Sequence, residues 1–222
     1  MIKAVIFDLD GTILYTLSDL ANAMNQMLSE FGYHEHSDLN VHRLAIGTGA
    51  RNYVKKCLPE EVQKDDAQVD KCLDAYRRIY DAAASIETKP YDGILDVMAF
   101  LRDNNIAINV LSNKPDAPTK ALVAQWFSEY SPKYVFGERA GVARKPEPEA
   151  PLEIAKNLGL NPRDVAFIGD SDVDIKTGVN AGMIPVGVLW GYRDREVLEN
   201  AGAKYLAKTP NELIEILKNL MQ

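Results

Sequence analysis

Asp8 and Asp10 stand one residue apart and run straight into Gly11 and Thr12. The residues before them, Ala4-Val5-Ile6-Phe7, are all apolar and read as a strand buried on both faces. Alternate residues of an extended chain point to the same side, so the two carboxylates converge on one volume. Like charges held close cost free energy unless a cation or a shared proton relieves them. The stretch therefore asks for a divalent cation and for chemistry on an anion. A competing reading is a solvated acidic turn at a strand end, because Asp-Gly is a common turn signal. An EF-hand calcium loop fits poorly, since Thr12 and Ile13 stand where that pattern needs an acid or Asn and then Gly.

Other polar residues gather at predicted strand ends. Ser112 and Asn113 follow a predicted strand over 106–111, and Asp170, Ser171, Asp172 and Asp174 follow one over 165–168. Arg144-Lys145-Pro146-Glu147-Pro148 precedes a helix, and its prolines hold Lys145 in place. Each type answers a need of phosphoryl transfer. Asp8 can attack phosphorus to give an acyl-phosphate that water hydrolyses. Mg²⁺ prefers carboxylate oxygens, and Asp8 and Asp170 are the natural pair to hold it. Thr12 and Ser112 offer hydroxyls and Asn113 an amide to the substrate, while Lys145 can offset charge that builds in the transition state. Asp10 can protonate the leaving alkoxide and then deprotonate the water. Asp174 can orient Lys145 or a metal-bound water. Taken singly, Ser112-Asn113 also reads as a turn, Lys145 as a solvated lysine, and residues 170–174 as helix N-capping. Those acids also mimic a calcium loop, but Ile175 sits where Gly is required.

The elements that position these groups follow from periodicity. Leu17, Leu20, Ala21, Met24, Leu28 and Phe31 recur at helical spacing, with Thr16 and Asp19 as a capping box and Gly32 as a C-cap. His34 and His36 sit in a polar loop and read as solvated. Gly47-Thr48-Gly49-Ala50-Arg51 either lets a helix start present its amides and Arg51 to an anion or is a plain turn between helices. A long helix is predicted over 60–81. Residues 15–87 thus form an all-helical cap inserted into a core of 1–14 and 88–222. From Lys89 onward helices and strands alternate, with strands at 106–111, 134–136, 165–168, 184–189 and 204–206. That pattern predicts an α/β core with a doubly wound parallel, Rossmann-like sheet, whose ligands bind at the carboxyl ends of the strands.

Bulk properties narrow the partners. The 222 residues carry a net charge of −7 with no long basic run, which argues against nucleic acid. No stretch reads as a signal peptide or a membrane span. Cys57 and Cys72 read as the free thiols of a cytoplasmic protein. The expected partner is a small-molecule phosphate ester, and the expected state a monomer or homodimer.

Asp8-Leu9-Asp10-Gly11-Thr12, Leu111-Ser112-Asn113, Lys145-Pro146 and Gly169-Asp170-Ser171-Asp172-Val173-Asp174 together resemble the four motifs of the haloacid dehalogenase-like phosphatases. The helical insert is similar to that superfamily's first type of cap. Leu111-Ser112-Asn113-Lys114-Pro115-Asp116, the turn at Gly47 and Gly49, and Gly187-Val188-Leu189-Trp190-Gly191-Tyr192-Arg193 resemble the phosphoglycolate phosphatase branch. The resemblance implies Mg²⁺-dependent phosphomonoester hydrolysis through an aspartyl-phosphate. It also implies a metal held by Asp8, Asp170 and the backbone carbonyl of Asp10. Tyr15, where relatives often carry an acid, and Ala143-Arg144, where a Gly-type residue often precedes the lysine, depart from the pattern. A sugar phosphomutase shares all four motifs and stays open, as does a binding protein without turnover. A dehalogenase is disfavoured by the second acid, Asp10. A phosphonatase would need a cap lysine; Lys55 and Lys56 exist, but lysine is common and their spacing is uninformative.

Overall fold

The computed structural model describes residues 1–83 and 86–222; Ala84 and Ser85, inside the predicted cap, lie outside the described residues. The chain opens with β1 (Ala4–Phe7) and β2 (Leu14–Tyr15), then four helices: α1 (Leu17–Glu30), α2 (Leu39–Ala45), α3 (Ala50–Cys57) and α4 (Asp66–Ala82). It continues through β3 (Lys89–Pro90), α5 (Ile94–Asp103), β4 (Ala107–Pro115), α6 (Asp116–Phe127), β5 (Tyr134–Glu138) and α7 (Glu149–Leu158). The last quarter holds β6 (Val165–Gly169), α8 (Asp172–Asn180), β7 (Ile184–Val188), α9 (Arg195–Asn200), β8 (Tyr205–Ala207) and α10 (Pro210–Leu220).

Six strands form one parallel sheet in the order β5-β4-β1-β6-β7-β8. The chain leaves β1 for β4 on one side and later crosses to β6 on the other, so the order reverses at β1. A crevice opens at the carboxyl end of such a reversal. Register makes the opening specific: Phe7 lies beside both Val110 and Ile168, so Asp8, Ser112 and Asp170 emerge close together. Both faces of β1 are buried, which is why its residues are all apolar. Val5 and Phe7 pack into the cluster with α5 and α10, whereas Ala4 and Ile6 pack with α7. Burying side chains such as Ile6 and Phe7 contributes roughly 1.5–3 kcal/mol each.

The helices α1 to α4 enclose a separate apolar cluster that includes Met24, Val54, Val69 and Cys72. The two chain crossings between this layer and the core pair as a short antiparallel ribbon, Leu14 with Pro90 and Tyr15 with Lys89. Tyr15 is therefore strand, not helix. The helix predicted over 60–81 begins later: a short 3₁₀ turn spans Val62–Lys64, and Asp65 caps α4 by accepting from the Gln68 N–H. The predicted capping box at Thr16 does not form. Thr16 Oγ1 meets the Tyr192 hydroxyl at 2.9 Å, and the Asp19 carboxylate accepts from Glu87 N, Thr88 N and Thr88 Oγ1. Tertiary partners outcompete the local cap at both residues. Cys57 and Cys72 are buried free thiols. Among the described residues no helix is long and apolar enough to cross a membrane.

Candidate active site

Lys145 is the hub of the crevice. Its Nζ donates to Asp8 Oδ1 at 2.6 Å and to Asp174 Oδ1 at 2.7 Å, and the side chain is 3% exposed. Burial alone would push the ammonium toward neutrality, but Asp174 and Asp8 outweigh it and hold the pKa above the ordinary lysine value. Its loop is pinned from β4: Asn113 Oδ1 accepts from Lys145 N, and Asn113 Nδ2 donates to Lys145 O and to Gly47 O in the cap. This revises the expectation for Asn113. It borders the cavity, but its amide is committed to backbone, so it acts as a brace for Lys145.

Asp174 is fixed in turn. It stands at the third position of α8, and Ser171 N and Oγ donate to its Oδ2 at 3.1 and 2.6 Å in a complete capping box. The N-capping reading of 170–174 is therefore also true. A capping box and a lysine anchor use opposite oxygens of one carboxylate. Asp172 turns outward to pair with Lys176 and takes no part.

Asp170 follows β6 and is 1% exposed. Thr12 Oγ1 donates to its Oδ1 at 2.8 Å, and Tyr192 N to its Oδ2 at 2.7 Å. Thr12 thus departs from its predicted substrate-binding place: it is fully buried and its hydroxyl holds Asp170. Two glycines leave room for that carboxylate. A Cβ on Gly11 would lie 2.5 Å from Asp170 Oδ2, and one on Gly191 2.3 Å from Asp170 Cβ.

Asp8, Asp170 and Asp174 each offer an oxygen within 4.8 Å of the others. Burial, then Asp174, raises Asp8 well above the ordinary carboxylate range, with Lys145 pulling the other way. Burial and then Asp174 push Asp170 up to about 7. The three buried carboxylates have one ammonium near them, paired with Asp8 and Asp174, which leaves an excess of two negative charges when all are ionised. Oxygen donors with that excess fit a hard divalent cation such as Mg²⁺.

A cavity of about 180 Å³ opens beside Asp8 of this cluster. Asp8, Asp10, Ser112 and Lys145 border it on the core side. Asp10 is paired at 3.3 Å with Lys114, whose Nζ also lies 4.4 Å from the Tyr80 ring centroid. Leu20, Ile46, Tyr53, Tyr76 and Tyr80 face it from the cap. Arg51, predicted to bind substrate, does not border the cavity. Its guanidinium is held by Asp70 at 2.7 Å and Asp66 at 2.8 Å on α4, facing solvent. Arg77 of α4 borders the cavity instead. Lys114 entered the sequence reading only as part of the 111–116 motif, without a role, and the three tyrosines had no site role there. Lys114 could have been given one, because it directly follows Ser112-Asn113 at a strand end.

Comparison with known proteins agrees with this geometry. The profile of the haloacid dehalogenase-like hydrolases matches residues 2–182. A phosphoglycolate phosphatase of Nitrosospira multiformis is 32% identical over 89% of this chain and 88% of its own. The N-acetylmuramic acid 6-phosphate phosphatase of Pseudomonas aeruginosa is 29% identical over 97% of this chain and 95% of its own. The crystal structure of a candidate phosphoglycolate phosphatase from Lactobacillus delbrueckii subsp. bulgaricus superposes with a TM-score of 0.89 at 31% identity, covering 97% of this chain and 98% of that one. With the four polar clusters arranged at one edge of its parallel sheet, the chain belongs to the haloacid dehalogenase-like hydrolases.

Proposed function

We propose that the chain is a phosphoric monoester hydrolase that cleaves a small phosphate ester by way of an aspartyl-phosphate on Asp8. The observation that carries this is the buried trio of Asp8, Asp170 and Asp174, with Lys145 bridging Asp8 and Asp174, beside a cavity that Asp8, Asp10 and Lys145 border. Asp8 attacks phosphorus, the bond to the leaving oxygen breaks, and Asp10 gives that oxygen its proton. Asp10 then takes a proton from water, which attacks the acyl-phosphate and releases orthophosphate. Lys145 faces the charge that develops on the phosphoryl oxygens, and Asp174 and Asn113 keep it from swinging away. Ser112, which borders the cavity, would donate to a phosphoryl oxygen.

Asp8, Asp170 and the Asp10 backbone carbonyl would hold a Mg²⁺ ion, which supplies charge neutralisation for the nucleophile and the phosphoryl group. The named relatives hydrolyse phosphoglycolate or N-acetylmuramic acid 6-phosphate, and phosphoglycolate is our first candidate substrate.

The test is orthophosphate release from a panel of phosphoesters, with Mg²⁺ and with chelator, using Asp8→Asn as control. Mg²⁺-dependent release that disappears with Asp8 is expected. Formation of an isomer in place of orthophosphate would instead make the chain a phosphomutase. Release that survives Asp8→Asn would overturn the mechanism.

A further inference from the structure

The loop of residues 190–193 touches four parts of the molecule in four residues. Trp190 Nε1 donates to Thr12 O at 2.9 Å, in the turn that carries Asp10. Gly191 lies so close to Asp170 and Gly11 that no side chain fits there. Tyr192 N donates to Asp170 Oδ2 at 2.7 Å, while its ring, 3% exposed, packs inside the apolar cluster of the cap and its hydroxyl meets Thr16. Arg193 then reaches into the cap. Its Nη1 donates to Arg43 O at 2.7 Å, and its Nη2 to Leu44 O at 3.2 Å and Ile46 O at 2.8 Å. These carbonyls close the C-terminal turn of α2, where the helix has no partners of its own to offer. Arg43 returns the contact by donating to Tyr192 O at 2.9 Å and to Asp194 at 3.3 Å.

Tyr192 is thus covalently one residue and mechanically two. Its ring belongs to the cap, and its amide belongs to Asp170. The cap cannot move away from the core without drawing on that amide or pulling the ring out of its cluster. We propose that residues 190–193 tie the orientation of the Asp170 carboxylate to the position of the cap, with Arg193 as the positioning residue that holds the tie. The inference rests on the reading of Asp170 as a metal ligand. By linkage, a cap position that favours metal binding is itself favoured by metal to the same degree.

The experiment titrates Mg²⁺ alone into the full chain by calorimetry, and follows amide hydrogen exchange of residues 43–47 with and without Mg²⁺. In the wild type, Mg²⁺ is expected to slow exchange at 43–47. Arg193→Ala is expected to weaken Mg²⁺ binding about 10- to 100-fold, as loss of a group that orients a ligand does, and to abolish that protection. Arg193→Lys keeps a donor for some of the carbonyls and recovers part of both. Asp170→Asn separates the two readings. If it binds Mg²⁺ like the wild type, the metal assignment fails. If it loses Mg²⁺ while Arg193→Ala keeps wild-type affinity, only the tie fails. Should Arg193→Ala not fold, wild-type exchange decides: residues 43–47 unprotected by Mg²⁺ would overturn the proposal. Tyr192→Phe, which loses only the bond to Thr16, is expected to show reduced protection with the Asp170 contact intact.

Discussion

The two walls of the cavity are built on opposite principles. On the core side each polar group has a fixed partner. Lys145 bridges Asp8 and Asp174, Asp174 is held by Ser171, Asp170 by Thr12 and Tyr192, and Lys145 is braced by Asn113. On the cap side the wall is mostly aromatic and aliphatic, with Arg77 and Asp81 of α4 as its charged members. Tyr53 meets Tyr76 edge to face at 5.7 Å, and Tyr76 stacks on Tyr80 at 6.1 Å. The Tyr80 hydroxyl has no partner among the described residues, although it is buried. Preorganised charge is worth most where charge develops in the transition state, and it must not rearrange during reaction. An apolar wall contributes shape and exclusion of water instead. On the proposed function, the contrast favours chemistry at the core wall and selection of the leaving group at the cap wall.

Substitutions on the two walls should therefore fail differently. Asp8→Asn is expected to abolish turnover altogether, because an amide is a poor nucleophile; single-turnover phosphate release would register any residue of activity. Asp10→Asn is expected to lower kcat by roughly 10²–10⁴-fold, the range for losing general acid–base help, and a near-normal rate would remove it from the mechanism. Across the cavity, Tyr80→Leu removes the ring beside Lys114. An interaction of that kind is worth about 1 kcal/mol, so KM should rise about fivefold while kcat holds. A fall in kcat as large as that of Asp10→Asn would erase the distinction between the walls.

The charge in the core wall also makes a pH prediction. Asp170 has a folded pKa raised to about 7, so between the usual carboxylate range and that value the native state binds more protons than the unfolded one. Its contribution in the metal-free protein is therefore present at low pH and lost as pH rises toward 7. Mg²⁺, which needs the ionised form, should raise Tm more at pH 7 than at pH 5, with protons released on binding. A Tm gain independent of pH across that window would count against the cluster as the metal site. The smallest effect is expected at Arg51→Ala. With its guanidinium on Asp66 and Asp70 at the surface, KM should stay within about twofold for phosphoglycolate and for p-nitrophenyl phosphate alike.

The core wall was readable from sequence because its residues are set by backbone pattern. Asp8 and Ser112 stand where apolar runs end, and in a parallel sheet those ends share one edge. Lys145 was marked by the prolines around it. What escaped depended on partners remote in sequence. Asp19 looks like a local cap but binds Glu87 and Thr88, 68 and 69 residues away. Arg51 follows a glycine turn suited to an anion, yet its carboxylate partners lie 15 and 19 residues on, at the first residue of a neighbouring helix and one turn into it. Thr12 sits next to the reacting groups in sequence and turns its hydroxyl to Asp170, 158 residues later. On the cap wall only the turn at Gly47, Gly49 and Ala50 was marked in sequence; its tyrosines carried no signal, because tyrosines at helical spacing serve a core and a cavity equally well.

The central claim is that the Asp8 carboxylate itself carries the phosphoryl group. The direct measurement is mass spectrometry of enzyme quenched in acid within milliseconds of mixing with Mg²⁺ and a turned-over phosphoester. A phosphoryl group on the peptide containing Asp8, absent when chase water has time to act and absent in Asp8→Asn, is the predicted result. Steady turnover with no phosphoryl group on that peptide, under conditions where the second step is rate-limiting, would contradict it.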